Sequence, residues 1–167
     1  SNVGRVQQII YSAIKYDRKV VIEGRSMVNI ITTANELGYI NIPDNLMIDI
    51  DMIKNYPPEK VVLITTGSQG EAMAALSRMA GGIHKKVSIM PGDTVILSSS
   101  PIPGNEKQVS KIINELTRKG AKVITQDTHV SGHACQEEIK LIYALTKPKY
   151  AIPLHGEYHH RVTHGQL

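Results

Sequence analysis

Apolar residues recur along this chain with two alternating periods. Val6, Ile9, Ile10, Ala13 and Ile14 share one face of a predicted helix over residues 3–16, because positions three and four apart lie on one side of a helical turn. Val20-Val21-Ile22 is a continuous apolar run inside residues 18–23, the pattern of a short strand covered on both faces. Gly24-Arg25-Ser26 interrupts it, and a second helix is predicted over 27–37, stopped by Gly38. Residues 39–56 are irregular and bracketed by Pro43 and Pro57-Pro58, with Ile48, Ile50 and Ile53 expected to pack as a connector.

The alternation then resumes. A strand over 60–66 runs into Gly67-Ser68-Gln69-Gly70-Glu71, followed by a helix over 72–80 that Gly81-Gly82 closes. A minor strand is predicted at 87–89 and another at 94–97, after the turn Pro91-Gly92-Asp93. The loop 98–106 leads to a helix through Lys119, capped by Gly120. A strand over 121–125, a loop over 127–133, a helix over 136–146 and a last strand over 149–154 complete the pattern. Short strands alternating with helices predict a three-layer α/β sandwich with a mostly parallel, Rossmann-like sheet. In such sheets a ligand crevice lies outside the carboxyl ends of the strands. The polar, glycine-bearing segments 24–26, 66–71, 98–106, 127–133 and 155–157 fall at those ends.

Composition narrows the partners. The chain has 167 residues, one domain's worth, with 41% hydrophobic and 20% charged residues, which excludes a disordered chain. The longest clean apolar run, Val61-Val62-Leu63-Ile64, is far short of the ~20 residues a membrane span needs. Cys135 is the single cysteine, so no internal disulfide and no cysteine-built zinc site can form; this favours a reducing, cytoplasmic setting. A net charge of +4 suits a phosphate-rich partner. Phe and Trp are absent, so base stacking would fall to the seven Tyr or to His. Six of the seven His lie between His129 and the C-terminus, a clustering that points to chemistry or to chance in a short tail.

Each candidate segment has a functional and a plain reading. Gly67-Ser68-Gln69-Gly70-Glu71 lets backbone approach a ligand at a helix start, yet it lacks the Gly-Lys-Ser/Thr ending of a P-loop and also fits a tight turn. Arg25 at a strand end could grip a phosphate or be a surface charge. His129-Val130-Ser131-Gly132-His133 offers two imidazoles and a hydroxyl on a glycine-containing loop. The intervening Glu of a zincin helix is absent, so a phosphate cradle competes with two exposed histidines. His155 closes an apolar run, where a ligand would be held rigidly, but one histidine is not a metal site. His160 and His164 read as surface residues of a polar tail, and Cys135 as structural.

In this order the segments resemble the β-CASP domain of the RNase J family, ribonucleases of the metallo-β-lactamase superfamily. The resemblance rests on Gly24-Arg25-Ser26-Met27, Thr65-Thr66-Gly67-Ser68-Gln69-Gly70-Glu71, Leu76-Ser77-Arg78-Met79-Ala80, Ser98-Ser99-Ser100-Pro101-Ile102-Pro103-Gly104-Asn105-Glu106, His129-Val130-Ser131-Gly132-His133, and Lys147-Pro148-Lys149-Tyr150 leading to His155-Gly156-Glu157-Tyr158. It covers nearly the whole chain.

The resemblance implies a zinc-dependent enzyme of RNA processing and decay. It cuts RNA internally and from the 5′ end, with preference for a 5′ monophosphate. Two zinc ions sit in the metallo-β-lactamase domain that the β-CASP domain caps. It further implies a catalytic role for His133, a zinc-ligand role for His155, and substrate binding by His129, Val130, Ser131, Gly132, His133, Ser1 and Asn2. Residues 1–154 are then the β-CASP domain, and 155–167 begin the return into the metallo-β-lactamase domain. The family's His-x-His-x-Asp-His cluster is absent from this sequence. The chain is therefore expected to be a fragment of a longer, homo-oligomeric enzyme, binding no zinc and cutting no RNA by itself. The alternative readings are a non-catalytic α/β module for a nucleotide or sugar phosphate, and a docking domain with a His-rich face.

Overall fold

The computed structural model describes residues 2–125, 134–154 and 156–167. The chain divides into two compact units, residues 1–129 and 130–167.

Helix α1 (Val3–Lys15) opens the first unit and buries Val6, Ile10 and Ala13, a single stripe at four- and three-residue spacing. Ile14, expected on that stripe, is 45% exposed, because it lies roughly 100° round the helix from Ala13. Strand β1 (Lys19–Glu23) pairs parallel with β2 (Val61–Thr65), Val20 opposite Val62 and Ile22 opposite Ile64. Residues 46–48 take the other edge of β1: Val20 N donates to the Leu46 carbonyl at 2.9 Å and Ile48 N to the Val20 carbonyl at 3.0 Å. Helix α2 (Arg25–Glu36) also packs on β1. It ends as its glycine predicts, with Gly38 N bonded to the Asn35 carbonyl and Tyr39 N to the Ala34 carbonyl. Val6, Ile10, Ala13, Val20, Ile31, Ala34, Ile40, Leu46 and Ile64 form the core between these elements.

A second core lies under α3 (Ala75–Ala80) and α4 (Glu106–Arg118). Leu76, Ala80, Leu97, Val109, Ile112, Leu116 and Ala121 build it. Strands β3 (Thr94–Ile96) and β4 (Lys122–Ile124) pair parallel, Val95 opposite Val123. Gly120, at φ +83°, closes α4 by giving its N–H to the Thr117 carbonyl, and the chain turns at once into β4. Helices alternating with parallel strands give the α/β class the sequence predicts; among the described residues the ladder consists of two parallel pairs.

Four expectations are corrected. No strand forms at 87–89, where Ile89 instead packs against the second core from a loop. The third helix starts at Ala75 rather than at 72, because Leu76 N bonds back to the Thr66 carbonyl and the Ser77 hydroxyl to the Glu71 carbonyl. Residues 149–154 are not a strand: Ile152 and Leu154 are 84% and 89% exposed, and no described segment offers them a ladder. The C-terminal tail, in contrast, is helical.

The second unit holds α5 (Gln136–Thr146) and α6 (Tyr158–Gly165). All buried hydrophobic residues of the described chain lie between Val6 and Ala121, so neither helix has a buried face of its own. Local bonds hold them. Cys135 N donates to the Glu138 carboxylate at 2.7 Å across the first turn of α5, and Glu157 N donates to His160 Nδ1 at 3.2 Å at the start of α6. The Tyr143 hydroxyl meets His164 Nε2 at 2.8 Å, tying the two helices together.

Candidate nucleic-acid interface

The described polar segments at the strand ends belong to the first unit. After β1, Gly24 at φ +116° starts α2 with no side-chain cap, leaving Arg25 and Ser26 exposed. A Cβ on Gly24 would stand 2.8 Å from the Thr66 hydroxyl, so the first and second strand ends touch and only glycine fits. After β2, Glu71 Oε2 accepts the Gln69 N–H at 3.2 Å and folds 67–71 into a tight turn. Gly70, at φ +82°, presses on α4: a Cβ there would lie 2.4 Å from Gln108 Cβ. After β3, the loop 98–106 is closed at its far end by Glu106 Oε2, which accepts the Gly104 N–H at 2.8 Å.

Two side chains from other elements grip that loop by its backbone. Arg5 Nη1 donates to the Ser98 carbonyl at 2.6 Å. Gln69 Nε2 donates to the Ser100 carbonyl, and Gln69 Oε1 accepts the Ile102 N–H, both at 2.9 Å. The Ser99 hydroxyl oxygen is buried with no hydrogen-bond partner among the described residues. Asn2 is the described member of the predicted substrate-binding set. It is exposed and its Oδ1 caps α1 by accepting the Arg5 N–H at 3.0 Å, so Asn2 and the Ser98 loop are joined through one arginine.

The other predicted site residues, Ser1, His129, Val130, Ser131, Gly132, His133 and His155, lie outside the described residues. Of the remaining predicted features, His160 is exposed and caps α6, and His164 is half-buried against Tyr143. Cys135, read as structural, carries an exposed free thiol at the start of α5. Among the described residues no three His, Cys, Asp or Glu side chains converge to hold a metal ion. No described helix is long and apolar enough to cross a membrane.

The sequence reading missed a cluster at the end of β1. Glu23 Oε1 meets His84 Nε2 at 3.2 Å and Arg78 Nη2 at 3.4 Å. His84 Nδ1 accepts the N–H groups of Val87 at 3.1 Å and Lys86 at 3.3 Å, so Nε2 carries the proton and donates it to the carboxylate. The available signal was that His84 alone stands apart from the C-terminal histidines.

Known proteins match this chain over its whole length. A family model described as the ribonuclease J β-CASP domain covers residues 1–116. A second, described as a Zn-dependent metallo-hydrolase RNA specificity domain, covers 120–167. Ribonuclease J of Helicobacter pylori is 50% identical over 99% of this chain, which is 24% of that protein. Ribonuclease J of Synechocystis is 47% identical over 100% of the chain and 27% of that protein. Ribonuclease J of Thermus thermophilus is 48% identical over 97% of the chain and 29% of that protein. The chain thus spans about a quarter of the length of these relatives.

Proposed function

The chain belongs to the ribonuclease J family, and from that footing we propose that it is the RNA-binding cap of a zinc-dependent ribonuclease. The observation that carries the reading is the pair of successive family matches, β-CASP over 1–116 and RNA specificity over 120–167. The exposed Arg25, the net charge of +4 and the glycine-built turns at the strand ends support it, since a basic, close-approach surface suits phosphates.

In this reading the whole protein cuts RNA internally and from the 5′ end and prefers a 5′ monophosphate. It works as a cytoplasmic homo-oligomer. Residues 1–154 form the cap and 155–167 lead back into the metallo-β-lactamase domain. Residues 129–133 hold an RNA phosphate, and Ser1 and Asn2 also bind substrate. His133 steadies charge on the phosphoryl oxygens or protonates the leaving oxygen. His155 is one zinc ligand. The described residues do not fit a zinc ion by themselves, so metal binding belongs to the whole protein.

The test is cleavage of RNA by the full-length protein with and without a 5′ monophosphate. Metal-dependent cleavage that is faster on the monophosphate is expected. His133→Ala is expected to lower kcat by about a hundredfold or more while RNA affinity changes little, as for a group acting in the transition state. Equal losses in rate and affinity would reduce His133 to a binding residue. A protein that ignores RNA but is stabilised by a sugar phosphate would favour the small-ligand module.

A further inference from the structure

The loops after β2 and β3 belong to different strand pairs, and no ladder bond joins those pairs among the described residues. A side chain joins the loops instead. The Gln69 amide uses both its donor and its acceptor on the backbone of 100–102, making one rung between two segments that are otherwise loops. Gln69 cannot swing freely at its own end. Its N–H is held by Glu71, and Gly70 beside it sits against α4 with no room for a Cβ. Arg5 fixes the near end of the same loop at the Ser98 carbonyl. Three backbone atoms within five residues are thus gripped from two other elements.

This arrangement is a poor device for stability. Gln69 and the loop it holds are partly or fully exposed, and hydrogen bonds that compete with water contribute little net. Ordering a glutamine side chain has its own entropy cost. What the rung does achieve is a single shape for the serine-rich loop that follows β3, beside the turn that follows β2. A surface fixed before its ligand arrives binds more tightly than one that must be ordered on contact.

We propose that Gln69 is a positioning residue for RNA: by holding residues 98–102 in one conformation, it presets a surface against which the RNA backbone lies. The proposal rests on the ribonuclease reading above. Gln69 touches no reacting atom and acts through the loop, so its loss changes capture of RNA and not the chemical step.

The experiment uses the full-length protein and a 5′-monophosphorylated RNA, comparing wild type with Gln69→Ala and Gln69→Glu. The alanine removes both bonds. The glutamate keeps an acceptor for Ile102 N but sets a carboxylate oxygen against the Ser100 carbonyl. Both variants are expected to raise KM by about tenfold, the cost of ordering the loop on contact with RNA, with kcat within about twofold and an unchanged melting temperature. Amide exchange at Ile102 is expected to quicken in Gln69→Ala. An unchanged KM, or a parallel loss of kcat and melting temperature, would overturn the positioning role. No RNA binding by the wild type would overturn the function on which it rests, so the two failures are told apart.

Discussion

His84 donates a hydrogen bond from its Nε2–H to the Glu23 carboxylate at 3.2 Å, across 61 positions of sequence, with its side chain only 4% exposed. The opposite ring nitrogen accepts two backbone N–H groups, so the imidazole fastens the 84–87 turn to the end of β1. His84→Ala would leave those donors and part of the Glu23 carboxylate unpaired in a half-buried place. A destabilisation of about 1–3 kcal/mol is expected, read as a lower urea midpoint with an unchanged slope. A shift within error would mean that water replaces the ring without loss.

Gly70 and Gly104 share a positive φ, +82° and +97°, but differ in surroundings. A Cβ on Gly70 would meet the Gln108 backbone carbonyl carbon at 2.7 Å, whereas one on Gly104 would meet nothing within 4 Å. Gly104→Ala should therefore cost only the backbone term, about 1 kcal/mol. Gly70→Ala should cost clearly more, because α4 must move as well. Thermal unfolding of the two variants decides this, and equal melting temperatures would refute it.

Lys60 Nζ lies 2.7 Å from Asp17 Oδ2 at the surface. The hydrogen bond from Lys60, and then its charge, hold the Asp17 carboxyl below its ordinary value of 3.8. A depressed folded value means the pair stabilises above pH 3.8 and loses that contribution as the pH falls further. Asp17 has φ +51°, a conformation asparagine also tolerates, so Asp17→Asn removes the charge without straining the turn. At neutral pH the variant should melt slightly lower, and the gap should close as the pH falls below 3.8 and in high salt, because both partners are exposed. A gap that persists in acid would assign the effect to something other than the ion pair.

For the proposed ligand His155, the expected result in the full-length protein is less bound zinc in His155→Ala, measured as metal per chain after dialysis. The chain of 167 residues alone is expected to show no cleavage that a chelator abolishes. Full zinc content in the variant would remove His155 from the metal site.

Much of the framework follows from local pattern. Helix α5 spans residues 136–146 as its periodicity predicts, and α1, α2 and α4 lie within about two residues of their predicted ends. Gly38 and Gly120 stop helices where expected. These features need only neighbours three to five residues away, so sequence determines them. The strand-end placement of the turns at 24–26, 66–71 and 98–106 was equally legible, because β1, β2 and β3 are each announced by an apolar run.

What lay beyond sequence depends on partners distant along the chain. Tyr150, Ile152 and Leu154 alternate like a strand, yet a strand exists only with a ladder, and the described chain supplies none there. The tail at 158–165 looks merely polar, and it becomes helical through a cap from His160 and a bond from Tyr143 to His164. No spacing rule links Gln69 to Ser100 and Ile102, or His84 to Glu23. Each pair meets because two separate cores set the loops of different strands side by side, and only the packed chain fixes that distance.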